Sequence, residues 1–203
     1  MHLDSAHISG LIRICREEIA QRSDELSRLD SAIGDGDHGT NMLRGFEALV
    51  AACPELAGYP LPEALEKIGM TLVMSIGGAA GPLYGTLMIE LGRALAADEN
   101  QDFGTALEKA IAAVARRGRS GPGDKTLLDV LYPVHAEVVS RAALSGIAAR
   151  AETAAWATKT MLARRGRASF LGERSIGHVD PGAFSCARLT VAICEYLREY
   201  HLQ

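Results

Sequence analysis

The sequence predicts an all-α fold, an eight-helix antiparallel up-and-down barrel or bundle. Three features point to it. Apolar residues recur at helical spacing along most of the chain. Hydrophobic residues make up 48% of the chain and aromatics only 5%, with many Ala and Leu, a composition that favours helix over strand. The helical stretches are separated by short connections, which make neighbours in sequence neighbours in space. At 203 residues the chain, 1–203, is expected to form a single domain with a substantial core.

The helices follow in order. Ile8, Leu11, Ile12, Cys15 and Ile19 mark a first helix, with Ser5 as its cap and an end near Leu29. The second starts near Thr40, carries Met42, Phe46, Leu49, Val50 and Cys53, and is expected to stop at Pro54. The third runs from about Pro62 to Met74 with Leu65, Ile68 and Leu72 inward. Pro82 opens the fourth, which reaches about Ala96. A polar link from Asp98 to Gly104 leads to the fifth, near Thr105 to Arg117. The sixth covers about Thr126 to Ala143 and contains Pro133, which should kink it. Gly146 should begin a turn, and the seventh helix should reach about Arg164. After a long segment, Arg165 to Pro181, the eighth runs almost to the end, with Phe184, Val191, Cys194 and Leu197 inward.

Strict alternation places the loops after helices one, three, five and seven at one end. Those four hold 13 of the 21 glycines: 34, 36 and 39; 77, 78 and 81; 118, 121 and 123; 166, 172, 177 and 182. Glycine-rich loops gathered at one end of a rigid bundle describe a binding site. Charge divides between them. The first loop is acidic. The third and fourth, with their flanks, hold Arg116, Arg117, Arg119, Lys125, Arg164, Arg165, Arg167 and Arg174. Arg116, Arg117, Arg164 and Arg165 read as solvated helix-end charges, whereas Arg167 and Lys125, inside glycine loops, are expected to grip phosphate oxygens.

The first loop places Asp30, Asp35 and Asp37 within eight residues. Three carboxylates so close repel unless a cation neutralises them, and hard oxygen donors suit Mg²⁺ or Ca²⁺. An EF-hand does not fit: counted from Asp35, Thr40 stands where glycine is needed and Phe46 where the bidentate Glu belongs. The helix that follows offers free N–H groups to an anion, so the loop reads as a seat for a Mg²⁺–phosphate ligand. No Walker A sequence is present; Gly123-Asp124-Lys125-Thr126 lacks the adjacent Gly-Lys.

A net charge of −4 gives no reason to expect nucleic acid or an anionic membrane as partner. No run of 18 apolar residues spans a membrane. No secretory signal is legible, and Cys15, Cys53, Cys186 and Cys194 have no metal-ligand spacing, so buried thiols in a cytoplasmic protein are expected. Trp156 and Met74 read as core, and His135 and His178 lack ligand spacing.

Ala32-Ile33-Gly34-Asp35-Gly36-Asp37-His38-Gly39, Gly77-Gly78-Ala79-Ala80-Gly81-Pro82-Leu83-Tyr84-Gly85, Gly123-Asp124-Lys125-Thr126 and Gly166-Arg167-Ala168-Ser169 through Asp180-Pro181-Gly182 together resemble the L subunit of dihydroxyacetone kinases. The likeness runs through all four loops in order. It implies an eight-helix antiparallel barrel with the nucleotide at one end. It further implies that Asp30, Asp35 and Asp37 hold two Mg²⁺ ions. His38, Gly39, Thr40, Asn41, Ala79, Ala80, Gly118, Leu127, Arg167, Asp180, Pro181 and Gly182 match positions lining ADP or ATP. The family commonly has serine where this chain has Ala80, a loss expected to weaken nucleotide binding by about 1 kcal/mol.

The resemblance implies a phosphotransferase. Asp30, Asp35, Asp37 and Arg167 would act catalytically by placing and neutralising the polyphosphate. Dihydroxyacetone would be held on a separate K subunit docking at the glycine-loop end. The phosphate would come from ATP or from a phosphotransferase-system protein. Two other readings stay open: a kinase subunit for a related ketose or sugar acid, and a non-catalytic, nucleotide-responsive regulatory module.

Overall fold

A computed structural model describes residues 5–98 and 102–200. It contains eight α-helices: α1 (Ser5–Ile33), α2 (His38–Leu56), α3 (Leu61–Ser75), α4 (Ala80–Ala97), α5 (Phe103–Gly118), α6 (Leu128–Val139), α7 (Leu144–Ala157) and α8 (Pro181–Glu199). Two 3₁₀ segments, Thr158–Thr160 and Arg167–Ser175, lie between α7 and α8. The described residues include no strand. Each helix packs on the next in sequence, and α8 packs back on α1, so the eight form a ring. Ile19, Leu26, Met42, Leu49, Leu128 and Val130 are among the fully buried residues of its core.

Sequence rules explain most boundaries. Asp102 caps α5 by accepting the Thr105 N–H at 3.1 Å. Asp180 caps α8 through the Ala183 N–H at 2.7 Å, with Pro181 at the first helical position. The cap expected at Ser5 lies outside the described side chains, and the expected polar link includes residues 99–101, outside the described residues.

Other boundaries depart from expectation. α1 continues to Ile33, which is buried, and stops only at Gly34. α2 runs through Pro54 to Leu56, because burying Cys53 and Leu56 outweighs the proline's bias against helix. α6 ends at Val139, not Ala143, and Arg141 adopts φ +57 just beyond it. The turn therefore precedes Leu144, and Gly146 falls inside α7. α7 ends at Ala157, not Arg164. There the buried Thr158 hydroxyl donates to the Ala155 carbonyl at 2.6 Å, competing with the helical ladder.

Two residues expected in the core are outside it. α7 buries Ile147, Ala151, Ala154 and Ala155, a stripe that Trp156 does not join; its indole is 54% exposed and meets Phe184 edge-on. Met74 is 84% exposed, on the side of α3 away from Ala64, Ile68 and Leu72. All four cysteines are buried and unpaired in disulfides. Burial pushes the Cys15 and Cys186 thiols up to about 12, far from nucleophilic thiolate. No described helix is long and apolar enough to cross a membrane.

The closest helix pair depends on two glycines. A Cβ on Gly69 of α3 would press on the Gly85 carbonyl at 2.6 Å, and one on Gly85 of α4 would press on the Gly69 carbonyl at 2.7 Å. Backbone faces backbone, so neither side can give. Gly69→Val should lower stability by about 1–3 kcal/mol through overpacking. Leu26→Ala, at a fully buried site, should cost about 2–5 kcal/mol through a cavity. Urea unfolding checks both; a Gly69→Val midpoint equal to wild type would refute the close approach.

Candidate nucleotide and metal site

The four odd-numbered connections meet in one cavity of about 430 Å³. Asp30, Asp35, Asp37, His38 and Asn41 line it from the first loop, and Gly77 to Ala80 from the second. Gly118, Ser120, Thr126 and Leu127 come from the third, and Arg165 to Ala168 with Asp180 to Gly182 from the fourth. The alternation argument is thus realised in space. It has an electrostatic consequence. α2, α4, α6 and α8 all begin at this end, so four sets of N–H groups without intrahelical partners, some of them capped by side chains, and four positive dipole ends lie around one cavity.

Asp30 lies in the last turn of α1, where the dipole is negative and a carboxylate is disfavoured. The start of α2 compensates: Asp30 Oδ2 accepts the backbone N–H of Asp37 at 3.0 Å and of His38 at 3.2 Å. Gly36, at φ +81, makes the reversal that brings Asp37 back over Asp30. Carboxylate oxygens of Asp30, Asp35 and Asp37 lie within 4.8 Å of one another, with Asp35 and Asp37 exposed. This all-oxygen donor set fits a hard divalent cation. From the opposite wall, the Arg167 guanidinium forms an ion pair with Asp35.

A second group of side chains joins three helix starts. His38 Nε2 is 2.9 Å from Ser185 Oγ, and the Tyr84 hydroxyl is 2.8 Å from the same oxygen. Ser185 Oγ donates to the Gly182 carbonyl at 3.0 Å. Burial holds His38 at about 4, although Asp37 and the Pro181 backbone act in the other direction. His38 is therefore neutral at pH 7. Asp180 is raised to about 7, chiefly by burial; the Ala183 N–H and Lys125 oppose that shift, while Asp129 and Asp30 add to it.

The structure distributes the expected residues unevenly. Asp30, Asp35, Asp37, His38, Asn41, Ala79, Ala80, Gly118, Leu127, Arg167, Asp180, Pro181 and Gly182 all line the cavity. Gly39 instead packs against the Ser23 carbonyl of α1, and exposed Thr40 donates its hydroxyl to the Asp37 carbonyl at 2.9 Å. Lys125 borders the cavity but does not reach outward into it as expected. It is 1% exposed, and its ammonium donates to the carbonyls of Met161 and Ser175. Arg117 and Arg165, read as solvated helix ends, do line the cavity.

Tyr84, Ser185 and Asp129 escaped the sequence reading. Asp129 is buried and shapes the third loop by accepting the N–H groups of Gly123 at 2.5 Å and Thr126 at 2.8 Å. The only prior signal was its place three residues after Thr126, which is also an ordinary helix-start pattern. His135 donates to, or is turned towards, the Gly104 carbonyl at 3.1 Å, and His178 is exposed.

The His38 environment sets a pH dependence. A base whose folded pKa is depressed contributes stability that is present above its ordinary value of 6.5 and is lost as pH falls towards the folded value of about 4. That linkage removes about 2 kcal/mol between pH 7 and pH 5. His38→Asn should flatten the pH slope of urea-unfolding stability by this amount; identical slopes would refute a desolvated, neutral imidazole.

Residues 32–195 match the DAK2 domain family. The ADP-binding subunit of the PEP-dependent dihydroxyacetone kinase of Escherichia coli (strain K12) is 40% identical over 196 residues, covering 91% of this chain and 93% of that protein. A D-erythrulose kinase of Mycolicibacterium smegmatis is 37% identical over 196 residues, which are 88% of this chain but only 33% of that protein. The crystal structure of the dihydroxyacetone kinase from C. freundii in complex with AMP-PNP and Mg²⁺ superposes with a TM-score of 0.76 at 22% identity, over 94% of this chain and 34% of that one, and shows the same fold. By the extent of the family match and the closeness of these relatives, the chain belongs to the DAK2 domain family.

Proposed function

We propose that this chain is the nucleotide-binding L subunit of a dihydroxyacetone kinase. It takes up ADP or ATP with two Mg²⁺ ions and passes the terminal phosphate to dihydroxyacetone held on a separate K subunit. The observation that carries the reading is the meeting of three clustered carboxylates, Asp30, Asp35 and Asp37, with Arg167, paired to Asp35, in a cavity onto which four helix starts converge. Polyphosphate with a divalent cation is the ligand that complements both walls.

Asp30, Asp35 and Asp37 would hold Mg²⁺, which lowers the charge repulsion around the transferred phosphoryl group when bound. The chain's own part is positional. The positive ends of α2, α4 and α8 would face phosphate oxygens, and Arg167 adds a cation beside the proposed metal seat. His38 stays neutral and braces α2 against α8 through Ser185. Leu127, 4% exposed at the cavity wall, offers an apolar surface to the base.

The phosphate donor is read as a phosphotransferase-system protein that recharges bound ADP, on the strength of the likeness to PEP-dependent and PTS-dependent ADP-binding subunits. A related ketose as the acceptor is the second reading, favoured by the 37% identity to a D-erythrulose kinase. The two acceptors are separated by supplying each with the cognate K subunit.

Two outcomes follow. Calorimetry should record uptake of ADP that requires Mg²⁺, and Asp37→Asn should weaken it and lower phosphate transfer to dihydroxyacetone by about 100-fold or more. Absence of ester from every tested donor, with nucleotide uptake intact, would instead favour the regulatory reading. Ala80→Ser, at the first residue of α4, should tighten ADP binding by about fivefold through one added hydrogen bond; unchanged affinity would mean that the hydroxyl finds no phosphate.

A further inference from the structure

The segment 158–180 forms a strap whose two strands are tied at the neck. The Gly177 N–H donates to the Lys159 carbonyl at 2.7 Å, and the Asp180 N–H to Thr158 Oγ1 at 3.0 Å. The Ala163 N–H donates to Ser175 Oγ at 2.9 Å. Thr158 and Ser175 are both fully buried. Beyond the neck the strap carries Arg167, which is 61% exposed and reaches Asp35. An ion pair that exposed contributes little by itself; the other holds on this part of the strap are Ala168, packed with Ile33 of α1, and the neck.

Lys125 enters this neck from the third loop. It adopts φ +64, rare for a lysine, and that backbone turn directs its side chain inward. The ammonium is buried and donates to Met161 O at 3.2 Å and to Ser175 O, one carbonyl from each strand of the strap. Next to it the Arg164 N–H donates to the Asp124 carbonyl at 3.1 Å. A buried ammonium is costly unless its hydrogen bonds are met. Here they are met by main-chain oxygens, which carry positional rather than ligand information.

We propose that Lys125 is a positioning residue: by joining the Met161 and Ser175 carbonyls it locks the neck of the strap to the third loop and so holds Arg167 on Asp35. The tie is independent of any ligand; its effect on nucleotide rests on the function proposed above. Lys125→Met keeps the length and removes the donors. In the ligand-free protein, the Ala163 and Gly177 amides should then exchange hydrogen at least about tenfold faster, with α3 and α4 amides unchanged.

A double-mutant cycle supplies the second arm, read as affinity for ADP with Mg²⁺. If Arg167→Ala weakens binding by about tenfold in the wild-type background, it should weaken it by no more than about twofold in Lys125→Met. A purely structural lysine would leave the two losses multiplicative. Lys125→Gln, whose shorter amide keeps N–H donors but not the charge, should show intermediate values and carries both arms if Lys125→Met does not fold. Wild-type exchange at the neck, or an equal Arg167→Ala factor in both backgrounds, overturns the proposal. If the unmodified protein takes up no Mg²⁺–ADP, the nucleotide reading fails, and the exchange arm alone decides the tie.

Discussion

Alternation of direction is the constraint on which everything else in this molecule depends. Each helix packs beside its predecessor and returns in the opposite direction, so α2, α4, α6 and α8 all begin at one end. That end gains the N–H groups without intrahelical partners and the positive dipoles of four helices. No single loop creates the anion seat. It is a property of the topology, and the glycines let four backbones approach it closely. The proposed metal seat is the local exception. Asp30, near the C-terminus of α1, and its neighbours Asp35 and Asp37 concentrate negative charge where one dipole is already negative. The site thereby places opposite charges a few ångströms apart, the separation that a cation-bridged polyphosphate requires.

Cations reach the site at three depths, and depth decides what each can do. Arg117 and Arg165 are exposed at the cavity wall, and Arg165 pairs loosely with Asp124 at 3.8 Å. Arg167 is also exposed but pairs with Asp35, so its position matters more than its charge. Lys125 is wholly buried and bonded to main-chain carbonyls, so its charge is spent on architecture. Burial lowers its pKa, with the Asp180 charge acting in the other direction. The same pair acts on Asp180, where burial dominates and the value rises to about 7. The third loop and the start of α8 are therefore coupled electrostatically as well as by packing.

The helices and the site end were legible because they rest on periodic or repeated signals. Ile8, Ile12, Cys15 and Ile19 all prove to be core, and the four glycine loops do converge. Asp30, Asp35 and Asp37 stand out because like charges in one loop need a reason. What was not legible depends on side-chain direction. A lysine in a glycine loop reads the same whether it points to solvent or into a neck, and φ +64 at Lys125 has no sequence signature. Tyr84 and Ser185 lie 101 residues apart and share a hydrogen bond that no local pattern announces. Trp156 looked like core by residue type, yet its place beside the Ile147, Ala151, Ala154 stripe puts it outside. Helix ends at Val139 and Ala157 were set by Arg141 in the left-handed region and by a buried Thr158 hydroxyl, both tertiary choices.

The exposure of the acids bears on how such a site would work. Asp35 and Asp37 lie open at the cavity, whereas His38 and Tyr84 line it and are bonded to the buried Ser185 behind them. A phosphate chain seated with its metal on the rim and its base towards Leu127 would present its terminal group outward. In a kinase that completes its own reaction, water must be kept from that group by the same chain. Here the described elements around the acids are a short loop and a strap tied at its neck and packed on Ile33 of α1 through Ala168 and Leu171. Under the proposed function, exclusion of water falls to the surface that docks on the rim, so transfer waits on the acceptor-bearing partner. The bonded side chains and the neck then have one task between them: to keep the acids and Arg167 in register while the outer face is left for another protein to cover.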